Sequence, residues 1–255
     1  MDTNVKTSRR RTQASTPTAA RRVVQTGATS RTATPVSPRR HFTWLAGAAA
    51  GAFLVPLILA DQLGLQRDIY YAAYVTAVVS LFVMWARDTR QPVREMIARR
   101  WRLAVGLGVI FAAVSAFIAI LAEDSSPHPG GVELVATLFW RGVVYGAADG
   151  LLLSAFPILL VFAALRNSTV RRRAGGLLAV GAVAMVASLA MTAVYHAGYS
   201  DFRSDKLRKP MTGDLIWSVP TLATLNPIGA PVAHVGLHVG AVVHNPDTDL
   251  FLPPH

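Results

Sequence analysis

The sequence predicts an all-α, polytopic transmembrane bundle of about 6–8 helices behind a basic N-terminal tail, and three observations predict it. Of 255 residues, 52% are hydrophobic and 15% charged, and mean hydropathy is +0.38, a surplus of apolar side chains that belongs in lipid. Uninterrupted apolar runs follow one another at Trp44–Ala60, Ile69–Ala86, Leu103–Ala122, Val132–Leu165, Ala174–Tyr195 and Leu215–His244. Arginine-rich connections alternate with neutral or acidic ones. The chain has no cysteine, which excludes disulfide frameworks, thiol nucleophiles and Cys-ligated zinc or iron–sulfur centres.

The tail comes first. The formal net charge is +11, and residues 1–41 hold nine Lys/Arg against one Asp. Nine Thr, four Ser and four Pro or Gly are scattered among the arginines, and Val5, Val23, Val24 and Val36 are nearly the only large apolar side chains. Such a stretch buries too little surface to offset its ordering entropy, so a disordered cytoplasmic arm is expected, fixing orientation through the positive-inside bias. Arg39 and Arg40 are placed to meet anionic lipid headgroups. Nucleic acid is not an expected partner, because no aromatic residue precedes Phe42 on which bases would stack. Arg39-Arg40-His41-Phe42 partly matches a twin-arginine export signal ending at Ala60. A retained first helix accounts for the same residues, since further spans follow.

About 20 residues cross a bilayer as a helix, so the first, second, third and fifth runs are single spans of a membrane domain over residues 42–246, followed by a short tail over 247–255. The loop Arg87–Arg102 has six arginines and Arg166–Arg173 has four, while Asp61–Asp68 and Glu123–Gly131 are neutral or acidic, which orients the N-terminus to the cytoplasm of a cell membrane. The fourth run, about 51 Å long as one straight helix, must tilt, break or enter twice, with Gly146, Gly150 and Pro157 as the places for a bend. The sixth contains Pro220, Pro227 and Pro231 and reads as a re-entrant or kinked stretch, then a helix from about Gly229, whose His234 joins Glu133 and His196 if that helix starts on the outer side.

Ionisable groups inside membrane segments mark functional sites. In the fourth run Glu133, Thr137, Arg141, Tyr145 and Asp149 form a four-residue ladder, a polar band along one face. Gly142, Gly146 and Gly150 lie beside it as a small-residue stripe that admits a second helix closely, so the band is expected to face protein. In the last run His234 and His238 stand one turn apart on one face, a spacing that chelates a divalent metal. His196 is a candidate third ligand. Zn²⁺ held by His196, His234 and His238 with an open position makes a hydroxide nucleophile without Ser or Cys; Glu133 is then the base and Arg141 orients the acid or a substrate carbonyl. His41, His128 and His255 read as solvent groups and His244 as a helix terminus.

Arg141, His196 and the closing Asn226-Pro-Ile-Gly-Ala-Pro-Val-Ala-His234-x-x-x-His238 segment together resemble the bacterial CAAX-processing and bacteriocin-processing intramembrane endopeptidases over residues 132–244. That family's pattern is E-E-x-x-x-R, then F-x-x-x-H, then H-x-x-x-N. Ala136 and Thr137 stand where the glutamates belong, Thr192 where the phenylalanine belongs and His238 where the asparagine belongs. The resemblance implies an intramembrane peptidase acting on a peptide, or a non-catalytic relative that keeps the fold. Three lysines against 22 arginines agree with a bacterial, high-GC source. Two other classes use the same residues: a non-enzymatic scaffold in which they fasten helices together, and a proton-coupled carrier with Glu133, His196 and Asp149 as a relay.

Overall fold

Ser37 and Pro38 start the first helix. The serine hydroxyl accepts the Arg40 N–H at 3.4 Å, and proline, with no N–H to leave orphaned, occupies the first turn. In the computed structural model, which describes residues 36–127 and 129–254, α1 therefore spans Pro38–Val55. Arg39, Arg40 and His41 belong to this helix and not to a tail ending at residue 41. Arg40 ion-pairs with Asp88, and His41 is buried, 2% exposed, accepting the Trp85 Nε1–H at 3.3 Å instead of standing in solvent. The expected disordered arm falls, up to residue 35, outside the described residues, as do His128 and His255.

From Pro56 to Gln62 the first helix continues as wider π turns, since proline removes one i→i−4 donor. Then come α2 (Arg67–Asp88), the short α3 (Val93–Ala98), α4 (Trp101–Ala122), α5 (Gly131–Ala164), α6 (Gly176–Ala197), α7 (Arg208–Trp217), α8 (Val219–Thr224) and α9 (Gly229–His244). Pro38–Gln62, α2, α4, α5 and α6 are long and apolar enough to cross a bilayer. All regular structure among the described residues is helical. The protein is an all-α membrane protein.

The fourth run neither breaks nor enters twice. α5 is one continuous 34-residue traverse in which π turns at Leu138–Tyr145 and Leu151–Ala155 alternate with α turns. Pro157 leaves the Leu153 carbonyl without its helical donor, and the Ser188 hydroxyl of α6, 3.0 Å away, shares its one proton between that carbonyl and Asp214. Asp214 of α7 is bound into the same place: Oδ1 accepts from Ser154 at 2.6 Å and Ser218 at 2.8 Å, and Oδ2 from Ser188 at 2.8 Å. A buried carboxylate needs such donors, and these draw α7 against α5 and α6.

The sixth run is a kinked return crossing followed by a last helix. α7 and α8 lead to Leu225, which takes a left-handed φ of 54°, and to Asn226, whose Nδ2 donates to the carbonyls of Ile97 and Arg99 at 2.8 Å each. α9 consequently starts on the side of the arginine-rich loop before α4, not on the outer side that a site shared with Glu133 required. It therefore runs parallel to α4, and small residues at four-residue spacing let the two helices approach closely. Gly108 meets Val232, Gly236 meets Ala112 and Gly240 meets Ala116. At its far end His244 Nε2 donates to the Glu123 carbonyl at 2.9 Å. The chain then folds back over the bundle, where the Arg67 guanidinium donates to the carbonyls of Pro246 at 2.9 Å and Pro254 at 2.6 Å, and Leu252 is fully buried.

A Cβ at Gly240 would lie 2.8 Å from the Ala116 Cα, whereas one at Gly106 meets nothing within 4 Å. Gly240→Val is therefore expected to cost about 1–3 kcal/mol by overpacking, and Gly106→Ala to cost nothing, as read by thermal unfolding in detergent.

Candidate metal centre

The glycine stripe of α5 does what its spacing implies, and its partner is α9. A Cβ at Gly150 would stand 2.8 Å from the His234 Cβ, one at Gly146 would stand 2.9 Å from the His238 Cδ2, and one at Gly142 would stand 3.0 Å from Val239. Only glycine lets both imidazoles lie this close to the long helix, beside Asp149. The Asp149 carboxylate is 3% exposed; Oδ1 accepts the Tyr74 hydroxyl of α2 at 2.6 Å and Oδ2 the His234 Nε2–H at 3.0 Å. The His238 Nε2 lies 3.4 Å from that same Oδ2 without the alignment of a hydrogen bond. Tyr145 packs edge-on against His238 at 4.9 Å between ring centres, and Trp217 against His234 at 4.4 Å.

This arrangement is under-satisfied as it stands. His234 Nδ1 and both ring nitrogens of His238 are buried without a hydrogen-bond partner, each at a cost of about 1–3 kcal/mol, and of the three His238 Nε2 is the one that faces the carboxylate. One ligand atom from each of Asp149, His234 and His238 lies within 4.8 Å of the other two. Donors at about 2.0–2.1 Å on a tetrahedral ion stand about 3.4 Å apart, close to the 3.0 and 3.4 Å that separate Asp149 Oδ2 from the two Nε2 atoms. Two imidazoles and one carboxylate form a donor set that suits Zn²⁺ or Fe²⁺ and leaves a coordination position for water or substrate. Tyr74 orients the carboxylate from behind, as outer partners of metal ligands do. The group could hold a divalent ion.

The remaining residues singled out in the sequence lie elsewhere. Glu133 is exposed in the first turn of α5, 16 residues and about 24 Å along the helix from Asp149, so it does not serve as base at this centre. Arg141 makes a two-pronged pair with Asp68 of α2 at 2.8 and 2.7 Å, eight residues from Asp149, and orients nothing in the site. The polar ladder thus divides: Tyr145 and Asp149 are buried in protein, while Glu133 faces outward. His196 is not one of the three converging groups but lines the same cavity, about 360 Å³, together with Tyr145, Asp149, Trp217, His234 and His238. Its Nδ1 is 2.8 Å from the Thr192 carbonyl, which only accepts. Nδ1 therefore carries the proton, and Nε2 the lone pair.

Asp149 as the carboxylate of the centre, Tyr74 as its support and Trp217 as a cavity wall were not legible as such in the sequence. The signal for Asp149 was present: a lone acid between Gly146 and Gly150, inside an apolar run, on the glycine stripe that α9 covers. Tyr74 gave none, because α2 holds Tyr70, Tyr71 and Tyr74 and only packing selects among them. Tyr74→Phe is expected to lower the affinity of the Asp149 group for an added divalent ion about 10–100-fold, read by competition with a chromogenic chelator. Tyr71→Phe, which removes a hydroxyl that has no hydrogen-bond partner, is expected to leave affinity unchanged.

Comparison of the chain with protein-family models, characterised proteins and solved structures finds no match, so the chemistry of this centre has to be argued from its own geometry.

Proposed function

We propose that the protein is an intramembrane metal-dependent hydrolase of acyl bonds, with Asp149, His234 and His238 as ligands and Zn²⁺ as the ion. One observation carries this reading: two buried imidazoles converge through Nε2 on one carboxylate oxygen, His238 Nε2 without a hydrogen-bond partner, at the wall of a cavity that a third, tautomer-fixed imidazole also lines. Zn²⁺ held by three protein ligands acts as a Lewis acid and brings the pKa of its water to about 7. His196, with its Nε2 lone pair, takes the proton from the attacking water and returns it to the leaving group, the role that sequence reasoning gave to Glu133. Trp217, whose ring packs against His234 at 4.4 Å, forms the wall beside the reacting acyl group. Peptide cleavage, implied by the resemblance to the CAAX-processing endopeptidases, falls within this reaction class.

The alternative is a scaffold in which Asp149 merely ties α2, α5 and α9 together through Tyr74 and His234. That reading leaves His238 Nε2, buried 3.4 Å from Asp149 Oδ2 and without a hydrogen-bond partner, without a purpose. The two separate by metal content. Protein purified in detergent with Zn²⁺ supplied is expected to hold one ion per chain, to lose it in His234→Ala/His238→Ala and in Asp149→Asn, and to hydrolyse a quenched membrane-spanning peptide or a chromogenic long-chain ester in a chelator-sensitive way. Metal-free wild type, with the substitutions lowering only thermal stability, returns the site to a scaffold.

We further propose a cell-membrane location with the arginine-rich loops cytoplasmic, supported by their charge. The basic tail then lies at the cytoplasmic leaflet, within reach of anionic headgroups. The chain has no native cysteine, so single cysteines report sidedness without background. Asn167→Cys is expected to react with an impermeant maleimide only after permeabilisation, and Ser125→Cys in intact cells.

A further inference from the structure

The cavity beside the Asp149 group has a mouth of unusual composition. On one side are Ile118 and Ala122 in the last turns of α4; on the other are Arg208, Lys209 and Thr212 in the first turns of α7, and all five are exposed. α4 ends at Ala122 and α7 begins at Arg208, so the mouth sits where apolar spans give way to loops. The outer faces beside it are hydrocarbon-compatible: Leu121 is 69% and Leu215 48% exposed. The opening therefore faces lipid near the interface, not bulk water alone. Deeper walls are apolar, formed by Trp217, Leu237, Leu250 and Phe251.

Charge decides what enters such a mouth. Arg208 and Lys209 make no ion pair among the described residues, although acidic residues occur in the preceding loop. A neutral lipid gains nothing from two cations at the rim, and a soluble anion gains nothing from the hydrocarbon walls. An anionic amphiphile satisfies both, with the anion at interfacial depth and the chain inside. Nine residues of α7, about 13 Å of helix, separate Arg208 from Trp217, whose ring lies against His234. At about 360 Å³ the cavity admits one hydrocarbon chain and not a whole two-chain lipid.

We propose that this cavity binds one chain of an anionic membrane amphiphile, entering laterally between α4 and α7, with its phosphate or carboxylate on Arg208 and Lys209 and its chain against Trp217. As a statement about what occupies the cavity beside a hydrolase centre it rests on the hydrolase reading. As a statement of binding it rests on the cavity alone.

The test uses the full chain in phosphatidylcholine nanodiscs containing a minor fraction of a dibromostearoyl probe: phosphatidylglycerol, free fatty acid or phosphatidylcholine. Bromine quenches nearby indoles, and the difference between wild type and Trp217→Phe isolates Trp217 from the other four tryptophans. An anionic probe is expected to quench Trp217 at least twice as strongly as the phosphatidylcholine probe. Arg208→Gln/Lys209→Gln is expected to abolish that preference while leaving metal content unchanged. The phosphatidylglycerol and fatty-acid arms distinguish a phosphate from a carboxylate headgroup. In wild type alone, excess unbrominated anionic amphiphile is expected to relieve the quenching, a result that needs no tryptophan variant. Equal quenching by anionic and zwitterionic probes, or a preference that survives the double glutamine variant, overturns the proposal. Chelation is expected to leave the preference intact, so a missing metal overturns the hydrolase reading alone.

Discussion

A carboxylate buried among lipid-surrounded helices sets the terms for the middle of this protein. Taking the charge of Asp149 out of water costs several kcal/mol unless donors meet it there. They come from two other helices, Tyr74 of α2 and His234 of α9, with His238 beside them. Meeting it requires close helix approach, which explains why Gly146 and Gly150 flank the acid and why α9 lies against that face. The same requirement reaches α4, whose Gly108, Ala112 and Ala116 let α9 come near from the other side. The site and the packing of three traverses are thus one arrangement.

Broken backbone at membrane depth obeys the same rule of satisfaction. Pro157 frees a carbonyl in α5, and Ser188 answers it; Ser188, Ser154 and Ser218 together surround Asp214. The left-handed Leu225 ends α8, and Asn226 then binds the carbonyls that close the segment before α4. Each departure from regular helix is matched by a side chain from another traverse, the condition under which irregular backbone is tolerated away from water. The outcome is a return crossing made of two short helices. It delivers Trp217 to the cavity wall and starts α9 on the side that brings His234 and His238 level with Asp149.

The search for ionisable groups inside apolar runs led to His234 and to His196, and both line one cavity. The same search chose the wrong acid. Counting four residues at a time linked Glu133, Arg141 and Asp149 as one band. The helix is too long for its two ends to share a site, and Arg141 found Asp68 across the bundle. A ladder of polar residues shows which face of a helix is polar, not which rungs lie at the same depth as residues on another helix. His41 was misread for a related reason: a basic flank looks solvated until the neighbouring helix supplies an indole N–H to it.

Composition, the spacing of apolar runs and the glycine stripe were sufficient by themselves to establish a helical membrane protein, five of its spans and the face of α5 that another helix covers, because these depend on local periodicity and on the length needed to cross lipid. Tertiary structure alone decided which carboxylate joins the histidines, which tyrosine supports it and on which side the last helix begins. Those outcomes turn on the relative depth of residues in different traverses, and that depth is set by proline-driven breaks and glycine contacts between segments far apart in the chain.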